Sequence, residues 1–206
     1  MIYTAIFKRL FDLFFALLFL LLLSPLLILI SVAIKIASGN APIFYGHQRL
    51  GKNGVIFTCW KFRTMIPKAQ EKLQDILQND PTLAQEFNQT QKLKRDPRII
   101  PGIGHFLRRS SMDELPQFFN VLKGQMSIIG PRPITPSELN HYGEHQALFL
   151  SVLPGITGLW QTSGRNNLSY QSRVNLDIYY IRHRSLWLDL NIVLKTLITI
   201  IKGSGY

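Results

Sequence analysis

Residues Leu10 to Ile34 form an apolar run whose only charge is Asp12, and a Ser24-Pro25 pair interrupts it near the middle. A helix needs about 20 apolar residues to cross a bilayer core, so the run is long enough. Pro25 has no N–H and its ring clashes with the preceding turn, so a kink or break is expected there. A secretory signal would use Lys8 and Arg9 as its charged start, but its apolar region spans only about 7–15 residues and ends in a small-residue cleavage site, which is missing here. A kinked single crossing would separate the ends of the run. Lys8 and Arg9 flank one end and Lys35 the other. Basic residues prefer the cytoplasmic side, so both ends favour the same side. A break at Ser24-Pro25 permits that, because the arms of about 14 and 10 residues are each about half a crossing. The Ser24 hydroxyl can donate to a carbonyl freed at the break. Asp12 follows Lys8 by four residues and Arg9 by three, a spacing that allows pairing at the interface. The expectation is a re-entrant helix–break–helix over residues 1–38.

Residues 39–206 then form one domain, expected on the cytoplasmic face. The whole chain of 206 residues can bury a real core. Its mean hydropathy of +0.11 is too low for a multispan protein. The formal net charge of +11 favours an anionic partner: lipid headgroups, nucleic acid or a phosphorylated substrate. Cys59 is the sole cysteine, which rules out an intrachain disulfide and is compatible with a reducing compartment.

Turn signals divide this domain into short elements. A first strand precedes the Gly-Lys-Asn-Gly turn of residues 51–54, and a second covers Val55–Phe62. "QEKLQDILQND" reads as a polar helix ending before Pro81, and "LAQEFNQTQKLK" as a further helix or a loop. The end of "RDPRIIPGIGHFLRR" reads as helical, and a short helix runs from Asp113 to Gly124. Helices follow from Pro136, over "SYQSRVNLDIYYIRH", and over the apolar "SLWLDLNIVLKTLITIIKG", with "LPGITGLWQTSGRNN" as a Gly-rich loop. The last helix suits an interface or a core. The expected class is α+β, mostly helical: a broken membrane helix, a small strand element and a helical catalytic domain with interfacial amphipathic helices.

The densest motif is "RRSSMDELPQ". Pro116 is tolerated in a first helical turn, so Asp113 fits an N-cap, and Ser111 with Glu114 matches a capping box. The same acids also fit chemistry. Arg108, Arg109 and a helix N-terminus would keep Asp113 ionised and attract an anion. Adjacent helical side chains point about 100° apart, so one acid can face a reacting phosphorus and the other a metal. "SIIGPRPI" fixes Arg132 between two prolines, which suits bidentate binding of phosphate, though a surface turn would look the same. Lys61 and Arg63 lie two apart on a strand, on one face. Asp177 is a third acid or a partner for an arginine. "HYGEH" at residues 141–145 matches an inverted zinc-peptidase pattern, but Gly143 weakens its helix and no third-ligand motif follows.

"KRLFDLFFALLFLLLLSP", "KFRTM", "DPRIIPGIGHFLRRSSMDELPQFFNVLKGQMSIIGPRP", "LPGITGLWQTSGRN" and "LDIYYIRHRSLWLDLNIVLKT" occur in this order. Together they resemble the bacterial sugar transferases, the monotopic phosphoglycosyl transferases, from Lys8 to Gly203. The resemblance implies transfer of a sugar-1-phosphate from a UDP-sugar to undecaprenyl phosphate, with UMP released, at the inner leaflet of the bacterial cytoplasmic membrane. It implies that Asp113 is the nucleophile, that Glu114 binds Mg²⁺, and that the reaction is ping-pong through a phosphosugar-aspartyl intermediate. Lys61, Arg63, Arg108 and Arg132 would bind phosphate, and Asp177 matches a later essential acid. Gln161 and Arg165, in "GLWQTSGRN", would contact substrate, and that loop looks like the galactose or glucose branch. Members of that branch often carry extra N-terminal membrane helices, so the chain is expected to be a minimal catalytic form. A homodimer is compatible with the sequence. The competing class is a membrane-anchored basic scaffold or nucleic-acid binder, supported by the aromatic and basic "FTCWKFR". The resemblance implies no nucleic-acid partner.

Overall fold

The computed structural model describes residues 5–90, 93, 95–164 and 168–201. Its first two helices, α1 (Ala5–Leu22) and α2 (Ser24–Ser38), meet at Leu23 with a bend of 61°. The backbone ladder survives on both sides: Leu23 N–H donates to Phe19 and Leu27 N–H to the Leu23 carbonyl. Pro25 has no N–H to offer Leu21, and the Ser24 hydroxyl donates to that carbonyl instead, at 2.8 Å. Among the described residues no single helix is long and apolar enough to cross a membrane, whereas the bent pair has that length and composition together.

The inner stripe of α1 repeats every four residues, with Asp12, Ala16 and Leu20 buried, while Leu10, Phe14, Leu17 and Leu21 are exposed. This stripe packs on α6 (Gln117–Leu122), where Phe19 stacks on Phe118 at 5.5 Å. Ile30 and Ile34 of α2 pack with Phe62, Leu107 and Leu115. The pairing of Asp12 with Lys8 is present at 3.4 Å, but Asp12 lies inside the protein. It accepts from the Ser127 hydroxyl and the Ile128 N–H, each at 3.0 Å. Lys8 also reaches Asp189, at 2.9 Å. Arg9 turns away and donates to the carbonyls of Val121 and Leu122, satisfying the open end of α6.

Strands β1 (Phe44–Leu50) and β2 (Ile56–Phe62) form an antiparallel hairpin, with Leu50 opposite Ile56 and Phe44 opposite Phe62. Its turn needs left-handed backbone at Asn53 (φ 58°) and Gly54 (φ 75°), residue types that tolerate it. The free edge of β2 is closed by one side chain. Asn120 Oδ1 accepts from Trp60 N–H at 3.1 Å, and Nδ2 donates to the Thr58 carbonyl at 2.7 Å. Asn120 is fully buried and substitutes for a neighbouring strand, which ties α6 to the hairpin.

The polar helices are present as α3 (Ala69–Asn79) and α4 (Pro81–Thr90), followed by α5 (Ile103–Ser110). The helix expected from Pro136 is a 3₁₀ segment, Pro136–His145, which bends at Gly143 (φ 49°) into α7 (Gln146–Leu150). Helices α8 (Tyr170–His183) and α9 (Leu186–Ile201) close the chain. On α9, Asp189 and Ile192 are buried while Trp187, Leu194, Leu197 and Ile198 are exposed. Two further strands were not expected: β3 (Ser127–Ile129) runs parallel to β4 (Gly155–Thr157), the latter inside the stretch read as a Gly-rich loop. Three residues carry no readable alternation. Glycine creates the contact, since a Cβ on Gly155 would lie 2.1 Å from the Gly130 nitrogen. The main core gathers Ala16, Cys59, Val121, Ile129, Val174 and Ile192 from six segments.

Candidate active site

Helix α5 ends at Ser110, and Ser111 takes left-handed backbone (φ 58°), which costs a non-glycine residue roughly 1–2 kcal/mol. The chain then makes a single 3₁₀ turn, Met112–Glu114, before α6 begins at Gln117. The expected helix start at Asp113 is therefore displaced, because the turn and Pro116 intervene. Neither Ser111 nor Pro116 makes a side-chain cap. The capping-box reading of Ser111 and Glu114 fails, and the acids face another partner.

That partner is Lys61, from the end of β2. Its Nζ lies 2.6 Å from Glu114 Oε1 and 3.5 Å from Asp113 Oδ2. Burial pulls the Lys61 ammonium toward neutrality, but the Glu114 and Asp113 charges outweigh it and raise its pKa. Asp113 also titrates above the usual carboxylate range. Burial is the main cause and the Glu114 charge adds to it, while Lys61 and Arg108 oppose it. The expectation that nearby arginines would dominate is corrected by this burial. Arg109 is exposed, and no helix starts at Asp113.

Of the two acids, Glu114 lines a small open pocket, together with Arg49, Lys61, Gln117, Arg132 and Gln161 among others. Buried Pro131 and Pro133 flank Arg132, whose guanidinium lies 5.9 Å from the Trp160 ring. Gln161 Nε2 donates to the Ile156 carbonyl. The segments carrying Arg132 and Gln161 touch backbone to backbone, since a Cβ on Gly158 would meet the Gly130 oxygen at 2.3 Å. Arg108 is held by Thr64, donating from Nε at 3.0 Å.

Other expected residues lie elsewhere. Arg63 follows the end of β2, donates from Nε to the Pro42 carbonyl at 2.6 Å and lies over Tyr45, so it does not share the Lys61 pocket. Asp177 is buried and accepts from the Tyr142 hydroxyl at 2.8 Å. Burial pushes its carboxyl up to about 8, against the opposing effects of Tyr142 and Arg132. Its direct partner is thus a tyrosine. Arg165 lies outside the described residues. His141 packs on Tyr170, and the chain kinks at Gly143 (φ 49°), so no continuous helix carries the two histidines of "HYGEH".

Arg49, Cys59 and Gln117 are among the pocket residues that escaped the sequence reading. Burial pushes the Cys59 thiol up to about 11, so it stays protonated. Arg49 donates to Glu138 at 3.0 Å, and Glu138 forms a capping box with Thr135. The T-x-x-E spacing of Thr135 and Glu138 was the available signal for that partner.

Comparison with known proteins gives this geometry a context. A Salmonella typhimurium protein named undecaprenyl-phosphate galactose phosphotransferase is 45% identical over 86% of this chain and 37% of its own length. A Klebsiella pneumoniae protein named UDP-glucose:undecaprenyl-phosphate glucose-1-phosphate transferase is 38% identical over 97% of this chain and 40% of its own length. The exopolysaccharide production protein ExoY of Rhizobium meliloti is 44% identical over 96% of this chain and 87% of its own length. The chain thus spans about two fifths of the first two relatives and most of the third. The bacterial sugar transferase family matches residues 3–203, a stretch that includes the bent helix pair, Lys61, the acid pair and Arg132. The chain belongs to the bacterial sugar transferase family.

Proposed function

We propose that this protein transfers a hexose-1-phosphate from a UDP-sugar to undecaprenyl phosphate and releases UMP. The observation that carries this reading is the Asp113–Glu114 pair, bridged by Lys61 at the edge of a pocket that also holds Arg49 and Arg132. An anionic substrate fits those cations, and a buried carboxylate of raised basicity fits a nucleophile. A carboxylate oxygen of Asp113 attacks the sugar-bearing phosphorus. The bond from that phosphorus to the UMP oxygen breaks, and UMP leaves with the electron pair. An oxygen of the lipid phosphate then attacks the same phosphorus, and the Asp113–phosphorus bond breaks. Water would compete in the second step, and partial burial of Asp113 (13% exposed) limits its access.

Mg²⁺ fits the donor set. Glu114 offers a carboxylate at the pocket wall, and Mg²⁺ binds through one or two carboxylates plus substrate phosphates. When bound, the ion would neutralise diphosphate charge. The names of the relatives favour galactose or glucose as the sugar. The exposed apolar faces of α1, α2 and α9 support an enzyme seated in the inner leaflet of the cytoplasmic membrane. In this reading α1 and α2 enter and return at Ser24-Pro25, and the site faces the cytoplasm.

Purified protein given Mg²⁺ and a panel of UDP-sugars is expected to release UMP repeatedly only with undecaprenyl phosphate present. Sustained tight nucleic-acid binding without any UMP release would favour the basic-scaffold reading instead.

A further inference from the structure

Arg49 stands near the end of β1, opposite Phe57 in the hairpin ladder. On that face of β2, Cys59 and Lys61 follow at two-residue steps. A rise of about 3.4 Å per residue separates positions 57 and 61 by about 14 Å along the strand. Arg49 and Lys61 thus reach the one pocket from two separated positions along the hairpin, Lys61 held by the acid pair and Arg49 by Glu138.

Arg49 is firmly held. Glu138 Oε2 accepts from its Nη1 at 3.0 Å, and the same oxygen accepts from the Thr135 N–H at 2.7 Å and hydroxyl at 2.8 Å. Burial opposes the Glu138 charge, but Thr135 and Arg49 outweigh it and keep its pKa below the usual range. Glu138 thus stays ionised and keeps Arg49 oriented. Burial lowers the Arg49 pKa, and the charge of Arg132 lowers it further. Arg49, Lys61 and Arg132 line the pocket, against one lining carboxylate, Glu114. Like charges collected in this way favour an anion between them.

We infer that Arg49, positioned by Glu138, binds the nucleoside phosphate that departs as the monophosphate. This deepens the reading proposed above and rests on it. In-line displacement puts the leaving oxygen on the side of the phosphorus opposite the nucleophile. With Asp113 beside Lys61, the hairpin cation left for that side is Arg49. Charge develops on the nucleoside phosphate as its bond to the sugar-bearing phosphorus breaks. A fixed guanidinium binds two of its oxygens and stabilises that charge without reorganising.

Calorimetric titration of the full chain in detergent with UMP and with uridine tests the assignment. The wild type is expected to bind UMP more tightly than uridine. Arg49→Ala is expected to weaken UMP at least about tenfold and leave uridine unchanged. Arg49→Lys keeps the charge and loses the fork, so UMP should weaken by several-fold; it carries the comparison if the alanine variant unfolds. Glu138→Gln should weaken UMP in the same direction. Undiminished UMP binding in both Arg49 variants would overturn the inference alone. Equal loss of UMP and uridine would also overturn it, because Arg49 would then be structural. A wild type that binds no UMP would overturn the proposed function and the inference with it.

Discussion

Asp113 combines burial with a bridging cation, and each affects its titration. Burial and Glu114 raise its pKa, while Lys61 and Arg108 lower it. A nucleophilic carboxylate must be ionised, so activity should rise with pH along an acid limb above the ordinary carboxylate value of 3.8. Lys61→Met removes an opposing cation and should move that limb to higher pH, as read from a kcat/KM profile. An unmoved limb would mean that Lys61 does not face the titrating acid. Asp177 behaves differently because it is fully buried. Its ordinary value is 3.8 and its folded value is about 8, so between those pH values the folded protein holds a proton that the unfolded chain releases. Its contribution to stability is greatest below about 3.8 and declines as pH rises toward about 8. Asp177→Asn should flatten that decline in urea unfolding between pH 5 and 8, since the amide oxygen can still accept from Tyr142. Unchanged pH dependence would place the titration elsewhere.

Single elements set the positions of these residues. The crossing of Gly130 and Gly155 brings the Arg132 segment against the Gln161 segment, and a side chain there has no room. Gly155→Ala should therefore destabilise the fold by about 1–3 kcal/mol in denaturant titration, with backbone rather than a flexible side chain in the way. The bend between α1 and α2 depends on the missing N–H of Pro25. Pro25→Ala restores a donor for the Leu21 carbonyl and should reduce the 61° bend. In membranes, accessibility labelling at Tyr3 and Asn40 is expected on one side for the wild type. Labels on opposite sides would refute the re-entrant path without touching the acid pair. Much of this layout was legible in the sequence. Pro25 marked the break and supplied the reason that Ser24 would be needed, and the polar helix before Pro81 was legible, whereas the segment after it was left between helix and loop. The strands β3 and β4 were not legible, because three-residue strands are set by tertiary contact. The start of α6 was misread, since a 3₁₀ turn and an α-helix share the same capping residues.

At the scale of the whole molecule, one buried network joins the N-terminal helix to the rest of the fold. Lys8 links Asp12 to Asp189, Asp12 binds β3, and Asp189 accepts from the Tyr180 hydroxyl. The sequence spacing suggested only the first of these contacts: Lys8–Asp189 and Asp12–Ile128 join residues more than a hundred positions apart, and Tyr180–Asp189 spans the turn between two helices. The same limit hid Arg49, whose role depends on Glu138 and on the hairpin register. Lys61, Glu114, Arg132 and Gln161 were recognisable from family-like motifs, and they line one pocket. Arg63 was not distinguishable from Lys61 by alternation alone, because the strand ends between them. The network ties the N-terminal helix pair, the strand β3 and the last helix into one frame that also carries the acid pair and its pocket.

In the proposed reaction Asp113 carries the sugar phosphate between two substrates. Intact-mass measurement of the protein after incubation with Mg²⁺ and its UDP-sugar, without lipid, tests this most directly. The expected result is one added hexose phosphate, less a water, which disappears on adding undecaprenyl phosphate. In Asp113→Asn it should never form, and UMP release should fall by about a thousandfold or more. An unmodified mass in a wild-type sample that turns over with lipid present, or full activity in Asp113→Asn, would contradict the account.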